Sequence, residues 1–496
     1  MVRERSVGQG VGRAVGWRPW WALAAVALAF GVAQVVLVGN VALGWDESIY
    51  ASQTDPRRPA LAFTAPRARG TSWLAAPVQA VTDSTVAVRV WFAVLSSAAL
   101  FAAYAVWLRV RRDLSVPLAA LAFASLWTAI FYGPSLMPNV LIALAGVLAT
   151  GTVLCAALGV GPRWLPWAGA AAVASATLLR PSDVVPLAGA VTTAVLLHPR
   201  WRRRAVELLG PPAVGAVAGA LPWLVEAQLR YDGVLARVRR ALSTQSTGER
   251  FVPDYQLRAL DGPLLCRPCV RDQQPVPLSG ALLWAVGAAL VVLAVWVALR
   301  HTRPGTSRMV TLLPAWVGVL LALPYLLLVG YAAPRFLLPA YALLVLPAAF
   351  AVAHLVGLAP GRWRGLAVAL VAVALAVHVG AQLRVLESIV DTAGVGRDRW
   401  LRVAAALPRH DVEPPCLLTG AESAPVAYLA GCDSVHLERV PGDEDFGLDD
   451  LQAARRSQAV AVVLRSGEDR PAYTSGWRPL PARELPRGWR VLVAPR

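Results

Sequence analysis

Two adjacent carboxylates, Asp46 and Glu47, have the residue types and spacing that could do chemistry in this sequence. They lie in the segment Gly44-Trp45-Asp46-Glu47-Ser48-Ile49-Tyr50, just after the first long apolar stretch, Trp20 to Val38, and no acid occurs between residues 273 and 386. Like charges held side by side at such a boundary repel each other and are costly to desolvate, so the pair suits a base, a metal ligand or a cation site. A solvated helix cap is the alternative, because acidic side chains favour the first turn of a helix.

The composition indicates which elements must position this pair. The 496 residues are 57% hydrophobic and 16% charged, whereas an average soluble domain carries about 25% charged residues. The apolar residues fall into blocks of about 17–25 residues, the length that crosses a hydrocarbon core. Backbone groups in lipid must be satisfied within their own segment, so we predict an all-α polytopic membrane bundle.

The basic residues give the orientation of the bundle. All 47 are Arg, the formal net charge is +17, and they cluster in short loops between apolar blocks, as the positive-inside rule requires of cytoplasmic loops. Since they do not mark one soluble face, we expect no nucleic-acid partner. We predict a multi-pass cell-membrane protein with a cytoplasmic N-terminus, residues 1–19.

About eleven transmembrane helices are predicted within a membrane domain at 20–384. Their expected bounds are 20–39, 86–108, 116–132, 139–159, 164–179, 184–198, 206–226, 278–299, 309–331, 336–357 and 364–384.

Three larger segments are predicted to lie on the extracytoplasmic side of the membrane: the loops 40–85 and 227–277, and the C-terminal segment 385–496. The last holds 16 of the chain's 30 acidic residues. Short strand-like runs alternate there with helix-like runs, which predicts a small extracytoplasmic α/β domain. The strand-like runs are 416–419, 459–464 and 489–493, and the helix-like runs are 395–407, 422–430 and 447–457.

Four cysteines fall in these external segments. Cys266 and Cys269 share one loop, and Cys416 and Cys432 share the C-terminal domain. Two disulfides are expected in an oxidising compartment. A zinc site built from both pairs is the alternative, although CxxC alone is weak support for it.

The first external loop mixes aromatic, proline and arginine residues, including Arg67 and Arg69. A guanidinium group can hold a phosphate through two parallel hydrogen bonds. The loop's Arg and Trp residues could instead anchor it at the lipid headgroups, and both roles can hold together.

The membrane portion resembles the GT-C class of membrane glycosyltransferases, which includes protein O-mannosyltransferases and lipid A aminoarabinose transferases. The resemblance depends on Trp45-Asp46-Glu47 with Tyr50 after the first span, on the two long external loops, on Arg180-Pro181, and on Pro334-Arg335-Phe336-Leu337-Leu338-Pro339 at the start of a late span. The segment Ala65–Pro77 departs from the His-Pro-Pro-like pattern that the family often carries there, which leaves the acceptor open.

The resemblance implies a glycosyltransferase of hexosyl or pentosyl type. The donor would be a polyprenyl-phosphate sugar, and the acceptor a hydroxyl group of a lipid, glycan or protein in the cell envelope. Asp46 would be the catalytic base, and Glu47 would support it or help to hold a divalent cation, whose identity stays open. Expected substrate-binding residues are Tyr50, Arg67, Arg69, Arg180 and Arg335.

Two other classes of function remain open on the sequence. A transporter or flippase of lipid-linked or envelope material would also need many spans and could bind a coupling cation at the acidic pair. Such proteins commonly show repeated halves and broken helices at the midplane, and no repeat is visible here. A non-catalytic scaffold whose outer domain binds a partner is the third class.

Overall fold

The computed structural model describes residues 17–244, 254–267, 269, 275–302, 306–435 and 447–495. Residues 1–16 of the predicted cytoplasmic segment, and part of the predicted loop 227–277, lie outside this described part. In chain order the helices before the C-terminal domain are α1 (Arg18–Val38), α2 (Trp45–Ser52), α3 (Gly70–Gln79), α4 (Thr85–Ala105), α5 (Ser115–Ala124), α6 (Trp127–Tyr132), α7 (Asn139–Leu158), α8 (Leu165–Leu179), α9 (Pro181–Leu197), α10 (Pro199–Arg202), α11 (Ala205–Arg230), α12 (Val234–Thr244), α13 (Asp254–Arg258), α14 (Leu278–His301), α15 (Thr306–Leu327), α16 (Leu338–Leu358) and α17 (Gly361–Ala406).

Long apolar helices form the membrane part, so the predicted all-α polytopic bundle is confirmed. Among the described residues, eight helices are long and apolar enough to cross a membrane: α1, α4, α7, α11, α14, α15, α16 and α17. The helices α5, α8 and α9 are apolar but shorter, at 10 to 17 residues. Each predicted span coincides with at least one helix, while the number of eleven crossings stays a prediction.

Two predicted spans differ in detail from the structure. The span expected at 116–132 is interrupted at Leu126, which is extended, and the Gln382 side chain accepts the backbone N–H of Trp127 at 2.9 Å. The span expected at 364–384 continues as one helix of 46 residues, about 69 Å long at 1.5 Å per residue. The polar residues after 384 contain no proline until Pro408, so the change in composition does not end the helix.

Small residues let the helices of the bundle approach closely. A Cβ atom at Gly215 of α11 would lie 2.1 Å from the carbonyl oxygen of Ala170 in α8, and one at Gly219 would lie 2.2 Å from that of Ala174. This small-residue spacing of four is a common means of packing helices in lipid, where the hydrophobic effect contributes little to association.

The C-terminal domain contains a mixed sheet, as the predicted α/β domain requires. Its elements are β1 (Cys416–Thr419), α18 (Ser423–Ala430), β2 (Asp433–Val435), α19 (Leu448–Ala454), β3 (Ala459–Leu464), β4 (Arg478–Pro479) and β5 (Arg490–Val493). The strand order is β2-β1-β3-β5-β4, with β1 parallel to β2 and β3, and β5 antiparallel to β3 and β4.

The domain is fastened to the loop that follows the first span. Tyr428 of α18 donates its hydroxyl hydrogen to Asp55 at 3.1 Å, and Arg58 donates to the backbone carbonyl of Tyr428 at 2.5 Å. Two connections thus hold the domain to the bundle: the continuous helix α17, and the loop of Asp55 and Arg58, which contacts α18.

Candidate active site

Helix α2 places the two carboxylates in its first turn. Its N-cap, Gly44, is extended, and its N–H donates to the Glu47 carboxylate at 2.6 Å. This bond to the N-cap turns Glu47 back toward the helix start. Asp46 therefore points away from Glu47, although the two are neighbours in sequence.

Glu47 is enclosed by donors, with 4% of its side chain exposed. Arg89 of α4 binds both of its oxygens, Arg397 of α17 donates to Oε2 at 3.3 Å, and the backbone N–H of Leu136 donates to Oε1 at 2.8 Å. Burial alone would raise the pKa of Glu47, but Arg89 and Arg397 outweigh it and hold that pKa below its ordinary value. Glu47 thus fastens α2 to two distant helices and to the turn before α7.

Asp46 lies in a more open environment, with 32% of its side chain exposed. Arg67 Nη2 lies 2.9 Å from one carboxylate oxygen, and Arg335 Nη2 lies 3.2 Å from the other. Burial would raise the pKa of Asp46, but the charges of Arg67 and Arg335 and the hydrogen bond from Arg67 outweigh it, so that pKa lies below its ordinary value. Asp46 is therefore ionised near neutral pH.

Asp46 faces a cavity of about 640 Å³ between the bundle and the C-terminal domain. Tyr50, Arg67, Arg180 and Arg335 line the same cavity, so the structure brings together most of the residues that the sequence selects. Aromatic side chains form much of the remaining wall: Phe131, Tyr132, Tyr331, Phe336 and Trp400. A volume within about 300–1,000 Å³, with apolar walls and a few convergent polar groups, is typical of a small-molecule site.

Arg180 has the least committed guanidinium group of this set. It lies between α8 and α9, its Cζ atom is 5.6 Å from the centre of the Phe336 ring, and its nearest carboxylate is Asp183 at 3.8 Å. Asp183 accepts the hydroxyl hydrogen of Tyr325, which holds that carboxylate in place. Within the described part of the chain the Arg180 guanidinium group makes no hydrogen bond, and its one ion pair is the 3.8 Å contact with Asp183, so its N–H donors are available to an anion in the cavity.

Arg69, which the sequence also selects for substrate binding, does not line the cavity. It donates to Glu226 of α11 at 2.6 Å, and its guanidinium group lies 4.1 Å from the Phe63 ring centre. A carboxylate near the C-terminal end of α11 therefore holds Arg69 away from Asp46. The sequence offered no sign of this pairing, because the two residues are 157 positions apart.

No family model and no curated protein sequence matches the chain. Among solved structures, the fold is similar to that of ArnT from Cupriavidus metallidurans bound to undecaprenyl phosphate, with a TM-score of 0.66 and 14% identity over 97% of this chain and 100% of that chain. It is also similar to the archaeal oligosaccharyltransferase AglB from Archaeoglobus fulgidus in complex with an inhibitory peptide and a dolichol-phosphate, with a TM-score of 0.53 and 12% identity over 90% of this chain and 70% of that chain.

The chain has the GT-C fold. The resemblance expected from the sequence is therefore confirmed for the fold, and the chain is a multi-pass membrane protein. At these identities the similarity concerns architecture, and the chemistry of the site depends on this chain's own residues.

The residues around Asp46 do not suit a divalent cation. One structure of the A. fulgidus oligosaccharyltransferase is a complex with zinc and sulfate. Here both Asp46 oxygens face guanidinium groups, both Glu47 oxygens are occupied by N–H donors, and the described lining of the cavity holds no further carboxylate. In the described residues no three His, Cys, Asp or Glu side chains come together in a geometry that could hold a metal.

The cysteines lie in two separate pairs. The structure joins Cys266 to Cys269 and Cys416 to Cys432. The backbone of Cys266 pairs with that of Ala332 through hydrogen bonds of 2.8 and 3.2 Å. This pairing places the loop carbonyl of Leu264 3.3 Å from Arg335 Nη1.

Three buried arginines around the candidate site were missed by sequence reasoning. Arg89 and Arg397 enclose Glu47, and Arg237 of α12 binds the backbone carbonyls of Ala65 and Arg67 at 3.2 and 2.9 Å. Arg237 therefore fixes the loop that presents Arg67 to Asp46. The sequence carried one signal, which concerns Arg89. This residue lies inside an apolar span, where an ionised side chain is energetically costly and needs a partner.

Proposed function

We propose that this chain is a membrane glycosyltransferase that moves a sugar from a polyprenyl-phosphate donor to a hydroxyl group outside the membrane, with Asp46 as the general base. The observation that supports it best is the pairing, in one cavity, of an ionised carboxylate with three guanidinium groups, those of Arg67, Arg180 and Arg335. A sugar transfer from a phosphate needs a base for the attacking hydroxyl and fixed positive charge for the departing phosphate.

In the proposed reaction the acceptor oxygen attacks the anomeric carbon while Asp46 takes the hydroxyl proton. The bond from the anomeric carbon to the phosphate oxygen breaks, and its electron pair remains on the phosphate. Arg180 stabilises that charge, together with Arg67 and Arg335. The products are a glycoside and a polyprenyl phosphate, and a single displacement inverts the configuration at the sugar carbon.

Arg67 and Arg335 give Asp46 a further property. Without substrate they hold its pKa low, and a carboxylate of low pKa is a weak base. A donor phosphate competes for the same guanidinium groups, so its entry raises the pKa of Asp46 toward the ordinary value. Asp46 therefore becomes a stronger base when the donor is in place.

Of the two roles open for Glu47, its contacts favour support of Asp46 over cation binding, since N–H donors occupy both carboxylate oxygens. We propose Glu47 as a positioning residue that fixes the first turn of α2. No step of the proposed reaction uses a metal ion.

The test is donor cleavage by the purified protein. Wild type, Asp46→Asn and the control Asp83→Asn, an exposed acid in the same external segment, are each incubated with a panel of polyprenyl-phosphate sugars. We expect wild type and the control to release polyprenyl phosphate from at least one donor, and Asp46→Asn to lose that release while remaining folded. Absence of release from every donor, combined with movement of lipid-linked material across vesicles, would favour the flippase alternative.

A further inference from the structure

A second cleft opens beside the cavity of Asp46. It has a volume of about 670 Å³ and lies between α17 and the C-terminal domain. Gly396, Trp400 and Arg465 line both spaces, so the cleft and the cavity adjoin at these three residues. A molecule bound in the cleft could therefore extend a group toward Asp46.

The cleft carries uncompensated positive charge. Arg399 and Arg487 line it, both are exposed, and neither side chain makes an ion pair or a hydrogen bond within the described residues. A third arginine, Arg465, is paired with Glu422, whose side chain is 1% exposed. Asp391 is the one other acid in the described lining and balances one of the two free arginines, so the net charge of the cleft is positive.

A fixed aromatic ring forms the junction between the two spaces. The indole nitrogen of Trp400 donates to Glu422 at 2.6 Å, which sets the orientation of the ring. Flat aromatic surfaces with a polar edge bind ligands that are part apolar and part polar, as sugar rings are. Guanidinium groups bind carboxylates and phosphates through two parallel hydrogen bonds.

We propose that this cleft is the acceptor subsite and that it receives a carbohydrate bearing carboxylate or phosphate groups. Arg399 and Arg487 bind the anionic groups, Trp400 contacts a sugar ring, and a hydroxyl group of the same molecule reaches Asp46 past Gly396. The proposal rests on the transferase function proposed above and adds the chemical class of its acceptor.

Binding tests the subsite without requiring turnover. The full chain in detergent is titrated with trigalacturonate, with neutral maltotriose and with inorganic phosphate. We expect trigalacturonate to bind, the Arg399→Gln/Arg487→Gln variant to lose about tenfold or more in affinity, and maltotriose to bind far more weakly.

The control pair is Arg402→Gln/Arg483→Gln, which removes the same charge from exposed positions outside the cleft. Equal loss in both double variants means non-specific attraction to a basic chain and overturns the proposal, as does no loss in either. Competition by phosphate at the same arginines identifies a phosphate-bearing acceptor, and its absence identifies a carboxylate-bearing one.

The junction gives a second variant that keeps all charges. A Cβ atom at Gly396 would meet no atom within 4 Å, and the same holds for Gly394, which lies two residues earlier and therefore on another face of α17. We expect Gly396→Leu to block transfer to an anionic acceptor while donor hydrolysis to polyprenyl phosphate continues, and Gly394→Leu to change neither. If Gly396→Leu transfers normally, the cleft is not the acceptor path. If wild type cleaves no donor although trigalacturonate binds at the cleft, the transferase proposal fails and the binding site stands.

Discussion

Asp46 and Glu47 are consecutive residues in one helical turn, yet the two carboxylates lie in opposite surroundings. Glu47 is 4% exposed and is bound by two arginines and two backbone N–H groups, whereas Asp46 is 32% exposed and faces a cavity. The protein fills the hydrogen-bonding capacity of Glu47, so this carboxylate has a structural role. Asp46 is paired with arginines that a ligand can also bind, so this carboxylate can take part in a reaction. The same side-chain type thus takes two roles because of its neighbours.

The largest expected effect is the loss of donor cleavage when Asp46, and not Glu47, supplies the base. Asp46→Asn keeps the shape of the residue and removes the base, so we expect donor cleavage to fall by on the order of 10²–10⁴-fold. Rates under saturating donor measure this. If the cleavage rate of Asp46→Asn falls by less than tenfold, Asp46 is not the base and its role does not differ from that of Glu47 in the way proposed.

The free energy of unfolding should show the reverse order, with a larger loss from substitution of Glu47 than from substitution of Asp46. Glu47→Gln leaves Arg89 and Arg397 buried with less compensation, and breaking a buried pair in this way costs about 3–5 kcal/mol. Unfolding in detergent measures the loss. The control Glu207→Gln removes an exposed partner of Arg204 and should cost at most about 1 kcal/mol. Equal stability of Glu47→Gln and wild type would contradict the supporting role.

A smaller effect on donor cleavage is expected when Arg180 inside the cavity is compared with Arg69 outside it. Arg180→Gln removes an uncommitted guanidinium group from the cavity, so we expect donor cleavage to fall by about 10–100-fold, the loss of one charge-assisted contact worth about 1.5–3 kcal/mol. Arg69→Gln should change cleavage less than threefold, because Arg69 is bound to Glu226 outside the cavity. A larger effect at Arg69 than at Arg180 would reverse this assignment.

The smallest expected effect is on acid stability. Both carboxylates have a pKa below the ordinary range in the folded chain. Their contribution to stability is therefore complete above about pH 5, beyond the unfolded values, and is lost as pH falls from there through the lower folded values. We expect the unfolding temperature of wild type to be flat from pH 7 to about pH 5 and to fall below that range. A decline that begins at pH 6 would show that other groups dominate.

The sequence predicts the local features of this molecule better than the distant pairings. Apolar blocks locate the membrane helices, and strand-like runs locate β1 and β3, because each depends on residues close together in the chain. The selection of Asp46, Arg180 and Arg335 for one cavity depended on a family resemblance. Periodicity alone could not place two residues 289 positions apart within 3.2 Å of each other.

Other features depend on partners that no local pattern reveals. Arg397 reaches Glu47 across 350 positions, and Glu226 withdraws Arg69 from the cavity. The continuity of α17 through residue 384 was hidden because a loss of hydropathy marks the exit from lipid and not the end of a helix.

Binding of the product, polyprenyl phosphate, to wild type and to Asp46→Asn tests the central claim most directly. Asp46 and the phosphate are proposed to compete for Arg67 and Arg335, so removal of the carboxylate charge frees those groups. We predict that Asp46→Asn binds polyprenyl phosphate at least as tightly as wild type while its single-turnover rate is lost. Weaker binding in proportion to the lost rate, or an unchanged rate, would contradict the account.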